Sequence, residues 1–112
     1  PDFCVLSGDD GLTVPMVAAG GDGVISVVSN LAPGLVTEMT MAAINGEMDK
    51  ARDIHYRLMP FFKAAFCDGN PSSIKYAMNL KGLPAGSLRL PLVEVNDNAK
   101  KIIQSALEEC GL

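Results

Sequence analysis

The stretch "GGDGVISVVSN", residues 20–30, decides how the rest of the chain is read. Between a glycine-rich entry and a polar exit run Val24, Ile25, Ser26, Val27 and Val28, without the alternation of apolar and polar residues that marks a half-buried strand. A strand that is apolar on both faces needs cover on both faces, the habit of parallel sheets in α/β proteins. The run predicts a strand over Val24–Val28. Upstream, Phe3–Leu6 predicts a short buried strand ending in the polar turn Ser7-Gly8-Asp9-Asp10. Between them, residues 12–19 form a short helical pattern, with Thr13 able to cap, Pro15 acceptable in the first turn, and Gly20-Gly21 as the stop. Strand, short helix, strand is the grammar of a βαβ crossover between parallel neighbours.

After residue 30 that grammar changes. Asn30 and Pro33 open a helix whose apolar residues Leu35, Val36, Met39, Ala42 and Ala43 share a face, and Asn45-Gly46 closes it. From Glu47 onward, Met48, Ala51, His55, Leu58, Phe62 and Ala65 recur at helical spacing, and Pro60 interrupts without changing the phase. One kinked helix through Pro60 is expected there. Asn70 as N-cap, Pro71 at the first helical position and Gly82 as stop predict the next helix. Residues 83–95 read as a proline-punctuated connection. Asn96 caps a last helix with an apolar stripe of Ala99, Ile102, Ile103, Ala106, Leu107 and Cys110, ended by Gly111. Two parallel strands alone leave their edges and faces open, so the sheet they belong to is not expected within this chain.

The bulk numbers narrow the function classes. A chain of 112 residues is one domain or a piece of one. Its net charge of −4 and scattered basic residues argue against a nucleic-acid or anionic-membrane partner, which selects clustered Lys and Arg. No apolar run approaches the roughly 18 residues of a membrane span. The start "PDFCVLSGDD" has neither a basic leader nor a Met, and is expected to be the cut end of a longer chain. Cys4, Cys67 and Cys110 lack metal or disulfide spacing and read as small core residues of a reduced, cytoplasmic protein.

Only one place has the makings of a site. In α/β sheets, functional groups gather at the carboxyl ends of strands, here Ser7-Gly8-Asp9-Asp10 and residues 26–30. Gly8 would let a ligand approach the backbone, and the carboxylates could meet a hydroxyl, an amine or a metal. The plainer reading, that Asp9 and Asp10 simply cap the helix that follows, comes first, since Asp is strongly preferred at an N-cap. Being adjacent, they would point apart and could not easily form a paired acid and base. "GGDG" lacks the GxGxxG spacing and a helix directly after it, so no dinucleotide cofactor is expected; with no CxxC and a single histidine, no metal is expected either. His55 reads as a core residue. All six lysines fall on predicted helices, none at a strand end where a Schiff-base lysine would sit. Lys75, one turn into its helix, could reach a neighbouring loop.

Taken together, "LSGDD", "GGDGVISVVSN", "RLMPFF", "NPSSIKYAMNLKG" and "LRLPLVEV" resemble, in order, the C-terminal portion of the 4-hydroxy-tetrahydrodipicolinate synthase (dihydrodipicolinate synthase) family, a branch of the N-acetylneuraminate lyase or Schiff-base aldolase group. The resemblance covers essentially the whole chain. It implies an α/β fold: the last two strands of a (β/α)8 barrel followed by a C-terminal helical domain, the two parts dividing as residues 1–45 and 46–112. It further implies condensation of pyruvate with aspartate-4-semialdehyde on a barrel lysine, with a tyrosine shuttling protons, in lysine and diaminopimelate biosynthesis. That lysine and tyrosine match no position here, so this chain alone is expected to be inactive. Ile25 matches the position whose backbone touches pyruvate, Gly8 lies in the loop lining the same mouth, and Asp9 is a candidate contact for the second substrate. A cytoplasmic homotetramer needing the remaining barrel strands is implied for the intact enzyme. Two rivals stand beside it: an N-acetylneuraminate lyase-like pyruvate aldolase, and a non-catalytic helical interaction module.

Overall fold

A computed structural model describes residues 3–112. Its elements run β1 (Leu6–Ser7), α1 (Thr13–Ala18), β2 (Gly23–Val24), α2 (Pro33–Ile44), α3 (Met48–Ala64), α4 (Ser72–Leu80) and α5 (Asp97–Cys110), with 3-10 turns at Asp10–Leu12 and Val28–Asn30. The two strands pair in parallel, Leu6 opposite Gly23 and Ser7 opposite Val24, with α1 as the crossover. The expected βαβ unit is therefore present. Both strands are shorter than the apolar runs that predicted them. Ile25 still donates to the Ser7 carbonyl at 2.8 Å, but Val27 already has helical dihedrals and the chain enters the second 3-10 turn. The reason is a buried carboxylate, Asp10, which accepts the Val27 and Val28 N–H groups and turns the backbone out of the ladder. Around β1, Val5 is tied to Asp22 through both backbone and carboxylate rather than through a longer strand.

The helices fall where the periodicity puts them, because each has a face to bury. Val36, Met39, Ala42 and Ala43 of α2, and Ala51, Leu58, Phe61 and Phe62 of α3, meet Ile103, Leu107 and Cys110 of α5 in one continuous core. Helix α3 is its centre, packed against α2 on one side and α5 on the other. It passes through Pro60 as one helix. Gly46 closes α2 at φ +81° while Glu47 N–H donates to the Ala42 carbonyl at 2.8 Å. Gly111 does the same for α5 at φ +64°, with Leu112 N–H on the Leu107 carbonyl, the hydrogen-bond pattern of a left-handed helix stop. Asn96 caps α5 by accepting from Ala99 N–H at 2.9 Å. Arg57 of α3 donates to the Cys110 carbonyl at 2.9 Å, placing a cation on the unsatisfied end of α5.

Three expectations need correction. Asn70 does not cap α4: Pro71, which follows a cis peptide bond, takes the cap position, and the Gly69 carbonyl accepts from Ser73 N–H instead. Cys4 and Cys67 are exposed, and only Cys110 is a core residue, its thiol pushed up by burial. In the α5 stripe Ile102 is exposed, because the buried arc runs through Ala99, Ile103, Ala106 and Cys110. Residues 83–95 form no regular element and lie as a strap on α4, held by Ser72 Oγ on the Val93 carbonyl at 3.0 Å and Lys75 Nζ on the Ser87 carbonyl at 2.6 Å. Among the described residues no helix is long and apolar enough to cross a membrane.

Candidate functional site

The carboxyl ends of β1 and β2 lie side by side, because parallel pairing brings equivalent ends together. At the end of β1, Ser7 is buried and its hydroxyl spans the next turn, donating to the Asp9 carbonyl at 2.7 Å and accepting from Asp9 N–H at 3.2 Å. That bridge holds Gly8 out as the apex. A Cβ at Gly8 would meet nothing within 4 Å, so its backbone faces open space. Asp9 caps the 3-10 turn by accepting from Gly11 N–H at 2.7 Å, and it borders a groove of about 480 Å³ shared with Met59, Phe62, Lys63 and Phe66. One of the two readings of the carboxylates thus holds for Asp9.

At the end of β2, Ile25 is 68% exposed while its N–H is held by the Ser7 carbonyl. Neither the Gly8 N–H nor the Ile25 carbonyl is taken up by another described residue. The structure therefore brings Gly8 and Ile25 to adjacent strand ends with backbone polar groups to spare. Groups of that kind can hold the oxygens and hydrogens of a small polar ligand. Asp9 is close in sequence but faces the neighbouring groove.

Asp10 behaves as neither reading of the sequence foresaw. The residue is 1% exposed, and its carboxylate caps not its own turn but the next one, accepting from Ser26 Oγ, from Val27 N–H at 3.0 Å and from Val28 N–H at 3.2 Å. Adjacent in sequence, Asp9 and Asp10 serve different partners, in keeping with their expected divergence. The sequence carried one signal for this bond, a carboxylate at one strand end and a serine at the other, but only the parallel pairing says that the two meet.

The remaining candidates lie elsewhere. His55 is buried on α3 against the rings of Tyr56 and Phe62, and burial pushes its imidazole below the ordinary value. It is a core residue, as its place on the apolar face implied; its Nδ1 has no hydrogen-bond partner among the described residues. The lysines sit on α3, α4, α5 or the end of α4, and Lys75 reaches the strap rather than the strand ends. Among the described residues no group of three or more His, Cys, Asp or Glu side chains could hold a metal ion.

The chain as a whole has close counterparts in sequence and fold. The profile of the dihydrodipicolinate synthetase family matches residues 1–110. The chain belongs to this family. Within the dihydrodipicolinate synthetase family, the 4-hydroxy-tetrahydrodipicolinate synthase of Methanocaldococcus jannaschii is 51% identical over 108 residues, which cover 96% of this chain and 37% of that protein. A crystal structure of a dihydrodipicolinate synthase is 50% identical with a TM-score of 0.94, covering 97% of this chain and 38% of the other. A monomeric dihydrodipicolinate synthase variant is 43% identical, with a TM-score of 0.91 and coverage of 99% and 37%. The chloride-inhibited dihydrodipicolinate synthase of Acinetobacter baumannii, complexed with pyruvate, is 30% identical, with a TM-score of 0.90 and coverage of 97% and 38%. The chain thus spans little more than a third of the length of the relatives it matches. Its two parallel strands and helices are the last two strands of the family's (β/α)8 barrel and its C-terminal helical domain.

Proposed function

We propose that this chain completes a lyase of the lysine and diaminopimelate route, which condenses pyruvate with aspartate-4-semialdehyde through a Schiff base on a barrel lysine. The observation that carries the reading is the pair of parallel strand ends where Gly8 leaves its backbone uncovered and Ile25 offers an unengaged carbonyl, in a member of this family. In a (β/α)8 barrel that end is where substrates bind. Pyruvate is a small anion with a ketone, and free backbone N–H and C=O groups orient such a molecule without adding charge. Ile25 and Gly8 are assigned to pyruvate, and Asp9, on the neighbouring groove, to the second substrate.

The nucleophile comes from the six strands outside this chain. None of this chain's lysines sits at a strand end, and binding groups cannot replace an amine that forms a covalent intermediate. The chain alone is therefore inactive. We assign residues 1–45 to the barrel and residues 46–112 to the helical domain, and place the intact enzyme in the cytoplasm as a homo-oligomer, a tetramer by family resemblance. The apolar side chains left open at the strands support a missing barrel: Phe3, Val5, Leu6 and Ile25 are 41 to 80% exposed.

The test is to assay the full-length protein that carries this chain with pyruvate and aspartate-4-semialdehyde, following loss of both. Stoichiometric consumption of the two is the expected result. Pyruvate release from N-acetylneuraminate, with no consumption of the semialdehyde, would place the protein with the lyase branch instead.

A further inference from the structure

From the hydrogen bonds of Asp10 we infer that this residue is the positioning residue for the pyruvate-binding backbone at Ile25. The inference rests on the pyruvate reading of the site and adds to it the group that sets the site's geometry.

Asp10 is the one acidic side chain buried among the described residues. A buried carboxylate is costly unless donors surround it. Here three donors do, and they come from three consecutive residues, Ser26, Val27 and Val28, immediately after Ile25. The Ile25 N–H is meanwhile fixed on the Ser7 carbonyl at 2.8 Å. The peptide that carries the Ile25 carbonyl is thus held on one side by the strand ladder and on the other by the carboxylate. Without the second hold, rotation at Ile25 and Ser26 would swing that carbonyl away from its direction.

The clamp is itself anchored. The Asp10 carbonyl accepts from the buried Thr13 hydroxyl at 2.9 Å, and Asp9 caps the 3-10 turn that Asp10 begins. On the far side, Ser26 Oγ also accepts from Ser29 N–H at 2.8 Å, so the serine links the carboxylate to the start of the second 3-10 turn. Charge-assisted hydrogen bonds to backbone N–H groups are the strong and directional kind. The Asp10 carboxylate bonds only Ser26, Val27 and Val28, none of them assigned to substrate; it acts through Ile25. A binding site held to a fraction of an ångström needs such a supporting group.

The experiment uses the full-length protein and its variants Asp10→Ala, Asp10→Asn and Ser26→Ala. Each is incubated with pyruvate at increasing concentration, reduced with borohydride, and weighed, so that the pyruvate needed for half-maximal trapping is read separately from trapping at saturation. Steady-state KM for pyruvate and kcat accompany it. Asp10→Ala is expected to raise the half-saturating pyruvate concentration about tenfold, the effect of leaving buried donors unpaired. Asp10→Asn restores most of the loss, because its amide oxygen can accept both backbone N–H groups while its NH2 donates to Ser26 Oγ. Ser26→Ala leaves both backbone bonds to Asp10 in place and raises half-saturation about threefold; it carries the test if Asp10→Ala does not fold. A merely structural Asp10 would lower the unfolding midpoint while leaving half-saturation and KM unchanged in the folded variants, and that result overturns the inference. A wild-type protein that forms no borohydride-stable pyruvate adduct overturns the functional reading itself, and the inference with it.

Discussion

Two glycines a short distance apart make opposite predictions. Gly21 follows α1, and a Cβ there would lie 2.9 Å from the Met16 carbonyl oxygen, 3.2 Å from its carbon and 3.4 Å from the Val5 carbonyl oxygen. All three are backbone atoms, so nothing flexible can yield. Gly21→Ala must push the end of α1 away from β1, breaking the 2.8 Å bond from Gly21 N–H to Met16. Overpacking of this kind costs about 1–3 kcal/mol. A domain of this size holds only about 5–15 kcal/mol in all, so the loss is a large fraction. Gly8→Ala adds its methyl where nothing lies within 4 Å, at a φ outside the left-handed region. It should leave stability unchanged or raise it by up to about 1 kcal/mol through the unfolded chain. Its expected penalty is functional, because the methyl would stand where the proposed site brings pyruvate to the backbone. Urea unfolding followed by circular dichroism gives the stabilities, and pyruvate trapping in the full-length protein gives the function. Equal destabilisation by both variants, or normal pyruvate affinity in Gly8→Ala, would refute the reasoning.

Other expectations follow from single contacts. Burial holds His55 below its ordinary value, so between that lowered value and about 6.5 the unfolded chain binds more protons than the folded one. Stability is then complete above about pH 6.5 and falls as the pH drops through that window; His55→Leu should flatten this part of a plot of Tm against pH, and an unchanged slope would remove His55 as its source. Phe61→Ala, at a position with no exposed surface, should cost about 3–5 kcal/mol, whereas Ile102→Ala, 43% exposed, should cost well under half of that in the same urea titration. Asp68 accepts from both the backbone and the side-chain amide of Asn96, the cap of α5. Asn96→Ala should therefore cost about 1–2 kcal/mol and Asp68→Ala about 0.5–1.5, with the double variant losing less than the sum. Strict additivity would show that the two act separately.

The helices were legible because their signals are local. The phase of Ala51, Leu58 and Phe62 survives Pro60, and the stops at Gly46 and Gly111 need only one residue able to take a positive φ. Even the burial of His55 could be read from its place in that phase. The strand lengths were not legible, since what ends β2 is the carboxylate of Asp10, sixteen to eighteen residues away in sequence. The same holds for the site. Gly8 and Ile25 stand out as a glycine and an apolar residue at predicted strand ends, while Asp10, whose carboxylate binds the three residues after Ile25, looks in the sequence like an ordinary helix cap. The cap of α4 was hidden for a related reason: Pro71 takes the cap position without a side-chain bond, and the Ser73 N–H goes to the Gly69 carbonyl, a backbone partner that no residue type announces. Cys4 sits in an apolar run that reads as core, yet it is exposed beside exposed Phe3 and Val5, because nothing in this chain packs over the segment that leads into β1.

The measurement that bears most directly on the account is a mixing experiment. The chain and a separately produced polypeptide comprising the preceding six strands of the barrel are combined with pyruvate and borohydride, and both are weighed intact. A reduced pyruvyl adduct on the six-strand polypeptide that forms only when this chain is present is the predicted result, following from the proposal that the reacting lysine lies there and that the strand ends of this chain hold pyruvate. No adduct in the mixture, with this chain folded and soluble by itself, would contradict it.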